Sequence, residues 1–131
     1  MTAKRVLNIG QCGTDHHRIS NCLQKQFGAE VTRAATEDEA VELLRAGSYD
    51  LVLVNRILDA DGSSGLEVIG RICTSTNPPP VMLVSDFYAS QQQAEAAGAV
   101  PGFGKGNLYD SETIQRLGKY LATNHSSDKN E

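Results

Sequence analysis

The stretch that decides the fold of this 131-residue chain is Asp50-Leu51-Val52-Leu53-Val54-Asn55. Its four consecutive apolar residues do not alternate with polar ones, which is typical of a strand buried on both faces in a parallel sheet. A similar run at 81–85, Val-Met-Leu-Val-Ser, follows the helix-breaking Pro78-Pro79-Pro80. The two runs predict two strands of an α/β sheet.

Strands and helical patterns alternate on either side of this stretch. Further strands are predicted at 5–9, 31–34 and 99–103. Helices are predicted at 15–27, from a capping box of Thr36 and Glu39 to Gly47, from a capping box of Ser64 and Glu67 through Ile72, at 89–97, and after Asp110 or Ser111. Five successive βα units with right-handed crossovers predict a doubly wound, flavodoxin-like (βα)5 sandwich of three layers, with a parallel sheet of strand order 2-1-3-4-5. The predicted domain covers residues 3–122, and residues 123–131, which have nothing to bury, are predicted to form a disordered tail.

Composition excludes several classes of protein. No stretch approaches 18 apolar residues, and the apolar run at the start is too short for a signal peptide, so we expect a cytoplasmic protein with no membrane partner. The net charge of -4, the absence of basic clusters and the lack of Trp argue against nucleic-acid binding. The three cysteines are never spaced as C-x-x-C, which favours reduced thiols over a disulfide framework or a structural zinc site.

Functional groups in such a sheet gather at the carboxyl ends of its strands. The residues at these ends are Gly10, Gln11, Asn55, Ser85 and Lys105. Gln11 precedes Asn55 by 44 residues, whereas Ser85 and Lys105 follow it by 30 and 50. These intervals, together with Gly65-Leu66-Glu67-Val68-Ile69 after the third strand, resemble those of the receiver domain of response regulators, the CheY-like family of two-component signalling.

The resemblance implies a role for each strand end. In the family, two acidic residues after the first strand hold Mg²⁺, an Asp ending the third strand accepts a phosphoryl group, and a Ser or Thr and a Lys contact the phosphoryl oxygens. Here Asn55 stands at the phosphoacceptor position and Gly10 and Gln11 at the positions of the acidic pair, so the site is degenerate. Ser85 and Lys105 match the phosphate-contact positions. Because a carboxamide is a very poor nucleophile and brings no charge to a metal, we expect weak or absent Mg²⁺ binding, no other cofactor, no catalytic residue and no enzymatic activity.

Further departures concern the switch and the pocket mouth. Gly106 stands where the family usually has Pro after its Lys, and Gly102 where it usually has an aromatic switch residue. Phe103, one place later, is the switch-region candidate. The loop over 55–65 is about two residues longer than is usual in the family, with Asp61-Gly62 suited to a tight turn, and it could reshape or cover the pocket mouth.

A second cluster of reactive side chains lies where the first strand meets the first helix. Cys12, Asp15, His16 and His17 include ligand types that zinc prefers, and a Cys near a helix N-terminus can have a lowered pKa. Adjacent histidines diverge by about 100° on a helix, and Asp15 is more simply a helix cap, so we predict no metal site here.

Three functions remain open. The first is a stand-alone, receiver-like signalling module that is not phosphorylated at Asn55 and acts by protein–protein contact. Its partner would be a histidine kinase, an output protein, or a second copy bound through the last two helices and the fifth strand. The second is a phosphorylatable response regulator that uses a displaced carboxylate such as Asp59, with Asp15 and Asp61 also nearby. The third is a flavodoxin-like ligand-binding domain, although Gly10-Gln11-Cys12-Gly13-Thr14 lacks the G-x-G-x-x-G fingerprint.

Overall fold

A parallel five-stranded sheet of order β2-β1-β3-β4-β5 forms the centre of the computed structural model, which describes residues 3–122. The strands are β1 Arg5–Ile9, β2 Glu30–Ala34, β3 Leu51–Asn55, β4 Val81–Val84 and β5 Val100–Phe103. The helices are α1 Gly13–Phe27, α2 Glu37–Ala46, α3 Gly65–Cys73, α4 Tyr88–Ala96 and α5 Ser111–Leu121, with a 3-10 turn at Lys105–Asn107. The predicted fold class and strand order are confirmed, and the predicted tail at 123–131 lies outside the described residues.

The central strand β3 separates two apolar cores. Val52 and Val54 face the core that is closed by α2, α3 and α4, whereas Leu51 and Leu53 face the core that is closed by α1 and α5. All four side chains are fully buried. This burial on both faces is what the unbroken apolar run predicts, and it makes the three-layer sandwich.

Both predicted capping boxes lie at helix starts. The Thr36 hydroxyl accepts a hydrogen bond from the Glu39 amide at 3.2 Å, and the Glu39 carboxylate accepts one from the Ala35 amide at 2.8 Å. At the start of α3, the Ser64 hydroxyl accepts from the Glu67 amide at 3.3 Å. The two hydroxyls satisfy first-turn amides that the helix itself leaves free, and the Glu39 carboxylate bonds the amide that precedes the Thr36 cap.

The start of α1 differs from the prediction. The helix begins at Gly13 rather than Asp15, and its N-cap is Cys12, whose Sγ accepts from the Asp15 amide at 3.5 Å. The expectation that Asp15 caps the helix is therefore wrong. Since sulfur is a weak acceptor, Cys12 is not among the residues that sequence rules favour as caps. Asp15 instead lies in the first turn, with its carboxylate available for another contact.

The edge strand β5 is irregular. Met82 pairs with Val100 and Val84 with Phe103, so β5 carries one more residue than β4 between the two pairs. Such a bulge bends an edge strand, in keeping with the poor strand pattern around Pro101 and Gly102. Among the helices of residues 3–122, none is both long and apolar enough to cross a membrane.

Candidate functional site

The carboxyl ends of the strands bring the five sequence-predicted site residues to one edge of the sheet. Gly10 and Gln11 follow β1, Asn55 ends β3, Ser85 follows β4, and Lys105 follows β5. Because all five strands are parallel, these positions share the edge at which ligands bind in doubly wound folds. We call them the strand-end site.

At the corner of the strand-end site next to β1, the Leu58 side chain fills the space and hydrogen bonds engage the Gly10 carbonyl. The Gly10 carbonyl accepts a hydrogen bond from the Asn55 carboxamide at 3.1 Å and another from the Asp59 amide at 2.9 Å. Leu58 is fully buried against Gly10, and a Cβ added at Gly10 would lie 2.5 Å from the Leu58 Cγ. Gly10 also has a φ of +80°, which side-chain-bearing residues rarely adopt. A longer side chain at position 10 therefore has neither the space nor the backbone conformation that it needs.

The long loop after β3 places Leu58 in this corner. Ile57 and Ser64 form an antiparallel bridge, and the Leu58 amide donates to the Ser63 carbonyl at 2.9 Å. The turn is closed by the Gly62 amide, which donates to the Leu58 carbonyl at 2.8 Å with a φ of +74° at Gly62. The loop is thus a small hairpin that folds back over the end of β1, and it covers part of the site.

The residues of this corner do not fit a magnesium ion. Mg²⁺ is held mainly by carboxylates and phosphate oxygens, whereas Gly10, Gln11 and Asn55 carry no charge. The Asn55 Nδ2 donor points to the Gly10 carbonyl, and the apolar Leu58 side chain lies beside it. Gln11 is buried, and neither amide atom of its side chain has a hydrogen-bond partner.

Lys105 is held by a carboxylate from helix α1. Its Nζ lies 2.9 Å from Oδ2 of Asp15, and this hydrogen bond lowers the pKa of the Asp15 carboxyl, which partial burial opposes. Arg18 reinforces the contact, with its guanidinium 3.7 Å from the Asp15 carboxylate and 3.5 Å from the Lys105 carbonyl, to which it donates. The three side chains clamp the loop after β5 onto the first turn of α1.

Sequence reasoning did not identify this clamp. It assigned Lys105 only to phosphate contact, and it named Asp15 only as a helix cap and as one of three carboxylates near the site. The available signal was the place of Asp15, four residues after Gln11 in a helix that starts at the same edge of the sheet.

Ser85 shapes the turn between β4 and α4. Its hydroxyl is buried and accepts from the Phe87 amide at 3.1 Å, which leaves the hydroxyl proton available for another contact. The next residue, Asp86, accepts from the Gly106 amide at 3.2 Å. These bonds join the β4–α4 loop to the β5–α5 loop.

The Gln91 side chain lies beside Gly102, in the space that a side chain at the switch position of β5 would occupy. Its Nε2 donates to the carbonyls of Leu83 and Ser85, each at 3.0 Å, and lies 3.3 Å from that of Phe103. At Gly102 an added Cβ would lie 2.1 Å from the Leu83 carbonyl oxygen and 2.9 Å from the Gln91 carboxamide. Phe103, the sequence-derived switch candidate, is buried in the core under α1 and α5. Sequence reasoning missed Gln91, because a glutamine on a helix gives no signal of its tertiary bonds.

The side chains near the start of α1 point to different partners. His16 Nδ1 lies 3.1 Å from the Asn8 carboxamide nitrogen, and His17 Nε2 lies 3.2 Å from that of Asn21. Burial lowers the pKa of His16, and the Arg33 guanidinium lowers it further. Within residues 3–122, no three His, Cys, Asp or Glu side chains are grouped so as to share a metal ion.

The chain was compared with known proteins. No family model and no curated protein sequence matches it. Among solved structures, it is similar to a putative response regulator from Chloroflexus aurantiacus (TM-score 0.81, 20% identity, 93% of this chain and 100% of that one) and to a response regulator from Thermotoga maritima (0.75, 24%, 93% and 100%). It is also similar to a response regulator protein from Burkholderia pseudomallei, solved with a phosphorylated aspartic acid, a calcium ion and citrate (0.70, 22%, 96% and 71%). The chain therefore has the fold of response regulator receiver domains.

Proposed function

We propose that this protein is a receiver-type signalling module of the two-component kind that is not phosphorylated at Asn55 and acts by binding another protein. The fold and the spacing of the strand-end residues support the receiver type. The chemistry of the site supports the loss of phosphoryl transfer, because such transfer depends on a nucleophile and on a metal that neutralises developing charge.

One observation carries the proposal: Leu58 is fully buried against Gly10, in the corner where the family resemblance implies a metal-binding acidic pair. A receiver that had lost only its acceptor would keep space and charge for the ion. Here the loop hairpin fills that space, and both lone-pair directions of the Gly10 carbonyl are used by Asn55 and Asp59. Because an apolar side chain occupies this space, the corner supports packing rather than metal binding.

The state of Lys105 supports the same conclusion. The ammonium that would pair with a phosphoryl group in a receiver lies 2.9 Å from the Asp15 carboxylate, which supplies the opposite charge. An anion entering the site would have to displace a carboxylate that the fold positions next to the lysine. With the switch position a glycine packed against backbone, the module lacks the parts that couple phosphorylation to a moving ring.

The experiment is treatment of the chain with acetyl phosphate and Mg²⁺, followed by intact mass, and an amide NMR titration with beryllofluoride and Mg²⁺. A response regulator receiver that has all three carboxylates serves as the positive control. We expect no added phosphoryl mass and no saturable shifts at Asn55, Ser85 and Lys105. A stable adduct would overturn the proposal, and its loss in an Asp59→Asn variant would assign the acceptor to the displaced carboxylate.

A further inference from the structure

Large hydrophobic side chains are exposed mainly around the strand-end site. Five are exposed within residues 3–122, and four of them lie on loops or a helix start at the carboxyl edge of the sheet. We call these three aromatic side chains and one isoleucine the aromatic rim: Ile57 (43% exposed), Phe87 (58%), Tyr88 (76%) and Tyr109 (59%). The fifth, Val41, lies on α2 away from this edge. Exposed apolar side chains that gather in one region mark an interaction site more often than scattered ones do.

Direct contacts join the loops that carry the aromatic rim. The Arg56 guanidinium lies over the Phe87 ring, 4.8 Å from its centroid, and so connects the β3–α3 loop to the β4–α4 loop. Asp86 accepts from the Gly106 amide and so connects the β4–α4 loop to the β5–α5 loop, which also carries Tyr109. The Tyr88 hydroxyl accepts from the Gln92 side chain at 3.3 Å, which holds this ring along α4. The rim is therefore one surface that spans three loops.

The charge around the aromatic rim is mostly negative. Four exposed carboxylates lie on the same three loops: Asp59, Asp61, Asp86 and Asp110. Two cations lie there: Lys105 is paired with Asp15, and Arg56, stacked on Phe87, keeps its charge, so the four carboxylates remain in excess. The surface thus offers rings and unpaired negative charge to whatever binds it.

This charge selects among occupants. A second copy of the chain would bring carboxylates against carboxylates, and an anionic membrane surface would be repelled in the same way. A polypeptide segment with apolar and basic side chains would bury the rings and pair with the carboxylates. Large aromatic side chains are also the residue types that contribute most to binding at protein interfaces.

We propose that the aromatic rim is the docking surface for an apolar, positively charged segment of a partner protein. The inference rests on the proposed function in one respect: the partner recognises the surface around a pocket that carries no phosphoryl group. It assigns recognition to the loop edge of the domain, whereas the sequence analysis considered the last two helices and the fifth strand.

The test is an amide NMR titration of the full chain with two synthetic helical peptides that share the same leucines, one with lysines and one with glutamates at the remaining positions. We expect the lysine peptide to shift the amides of Ile57, Phe87 and Tyr88 and to bind more weakly at high salt. Phe87→Ser and Tyr88→Ser are each expected to weaken its binding about tenfold. Val41→Ser, the matched change at the exposed apolar residue outside the rim, is expected to leave the affinity unchanged.

Several results would overturn the proposal. The first is that the glutamate peptide binds as tightly as the lysine peptide, and the second is that the shifted amides lie on α2. The third is that Tyr88→Ser leaves the affinity unchanged although its amide spectrum shows that the variant is folded. Two further results would show that another occupant binds the rim. One is a concentration-dependent dimer that Tyr88→Ser abolishes, and the other is binding to phosphatidylserine vesicles that the same variant abolishes. The phosphorylation assay is separate, since an adduct would contradict the proposed function whether or not the lysine peptide binds.

Discussion

Gly10 shows how one residue closes the strand-end site. Its positive φ turns the chain immediately after β1, and its missing side chain lets Leu58 lie against the backbone. The Gly10 carbonyl in turn holds Asn55 and the amide of Asp59. Residue by residue, the corner is a packed and hydrogen-bonded unit.

Gly10→Ala should therefore be costly. The added methyl group would clash with Leu58 and hold an unfavourable φ, and we expect the free energy of unfolding to fall by about 3 kcal/mol. Gly13→Ala is the matched control, because no atom lies within 4 Å of its added Cβ and it sits in a helix, so we expect no loss. Urea unfolding followed by circular dichroism measures both, and equal stability of the two variants would contradict this account of the corner.

The contact between Asp15 and Lys105 makes stability depend on pH. The pKa of Asp15 is lower in the folded chain than in the unfolded chain, chiefly because of the hydrogen bond from Lys105. The contribution of the pair is therefore complete above the ordinary aspartate pKa of about 3.9 and is lost as pH falls below it.

Asp15→Asn should lower the free energy of unfolding by about 1 kcal/mol at pH 7, as expected for a partly exposed ion pair. The difference from the unchanged chain should persist down to about pH 4 and shrink as pH falls further, through the lowered pKa of the Asp15 carboxyl. Asp59→Asn, at an exposed carboxylate of the same edge, should show little difference at either pH. Urea unfolding across this pH range measures the difference. If the loss of unfolding free energy in Asp15→Asn did not change with pH, the ion pair could not be its cause.

At the scale of elements, Gln91 links a helix to two strands. Its carboxamide on α4 reaches carbonyls at the ends of β4 and β5, where the bulge interrupts the regular ladder. The side chain thus adds hydrogen bonds between α4 and the edge of the sheet where the strand pairing is irregular.

Gln91→Ala should remove this side-chain donor from the Leu83 and Ser85 carbonyls and lower the free energy of unfolding by about 2 kcal/mol. Gln92→Ala removes an exposed neighbour on the same helix and should change stability by less than about 0.5 kcal/mol. Thermal unfolding of the two variants side by side provides the measurement. If Gln92→Ala proved as costly as Gln91→Ala, loss of helix side chains in general would explain both.

Local patterns predicted the elements better than the site. The apolar run of β3, the capping box at Thr36 and the helix end at Gly47 are each readable within a few neighbouring residues, and all three lie where expected. The placement of Leu58 over Gly10 and of Asp15 beside Lys105 depends on contacts between residues far apart in the chain. The spacing of the strand ends indicated which positions meet, but not which neighbouring side chains fill the space that the missing carboxylates leave.

At the scale of the whole molecule, the receiver fold brings loops from the ends of four strands to one edge of the sheet. In this chain those loops are tied to one another, through Leu58 over Gly10, Arg56 over Phe87, and Asp86 to Gly106. The interior of the edge is closed, and its rim is aromatic and acidic. This arrangement suits a binding surface better than a site for phosphoryl transfer.

The most direct test of this account is phosphorylation of the Asn55→Asp variant by acetyl phosphate with Mg²⁺, measured by intact mass. The change supplies the acceptor that the receiver resemblance implies. It leaves Leu58 against Gly10, Gly10 and Gln11 without charge, and Lys105 paired with Asp15. We predict no added phosphoryl mass and no saturable Mg²⁺-dependent amide shifts. Full Mg²⁺-dependent phosphorylation of this single variant would contradict the claim that the site has been rebuilt.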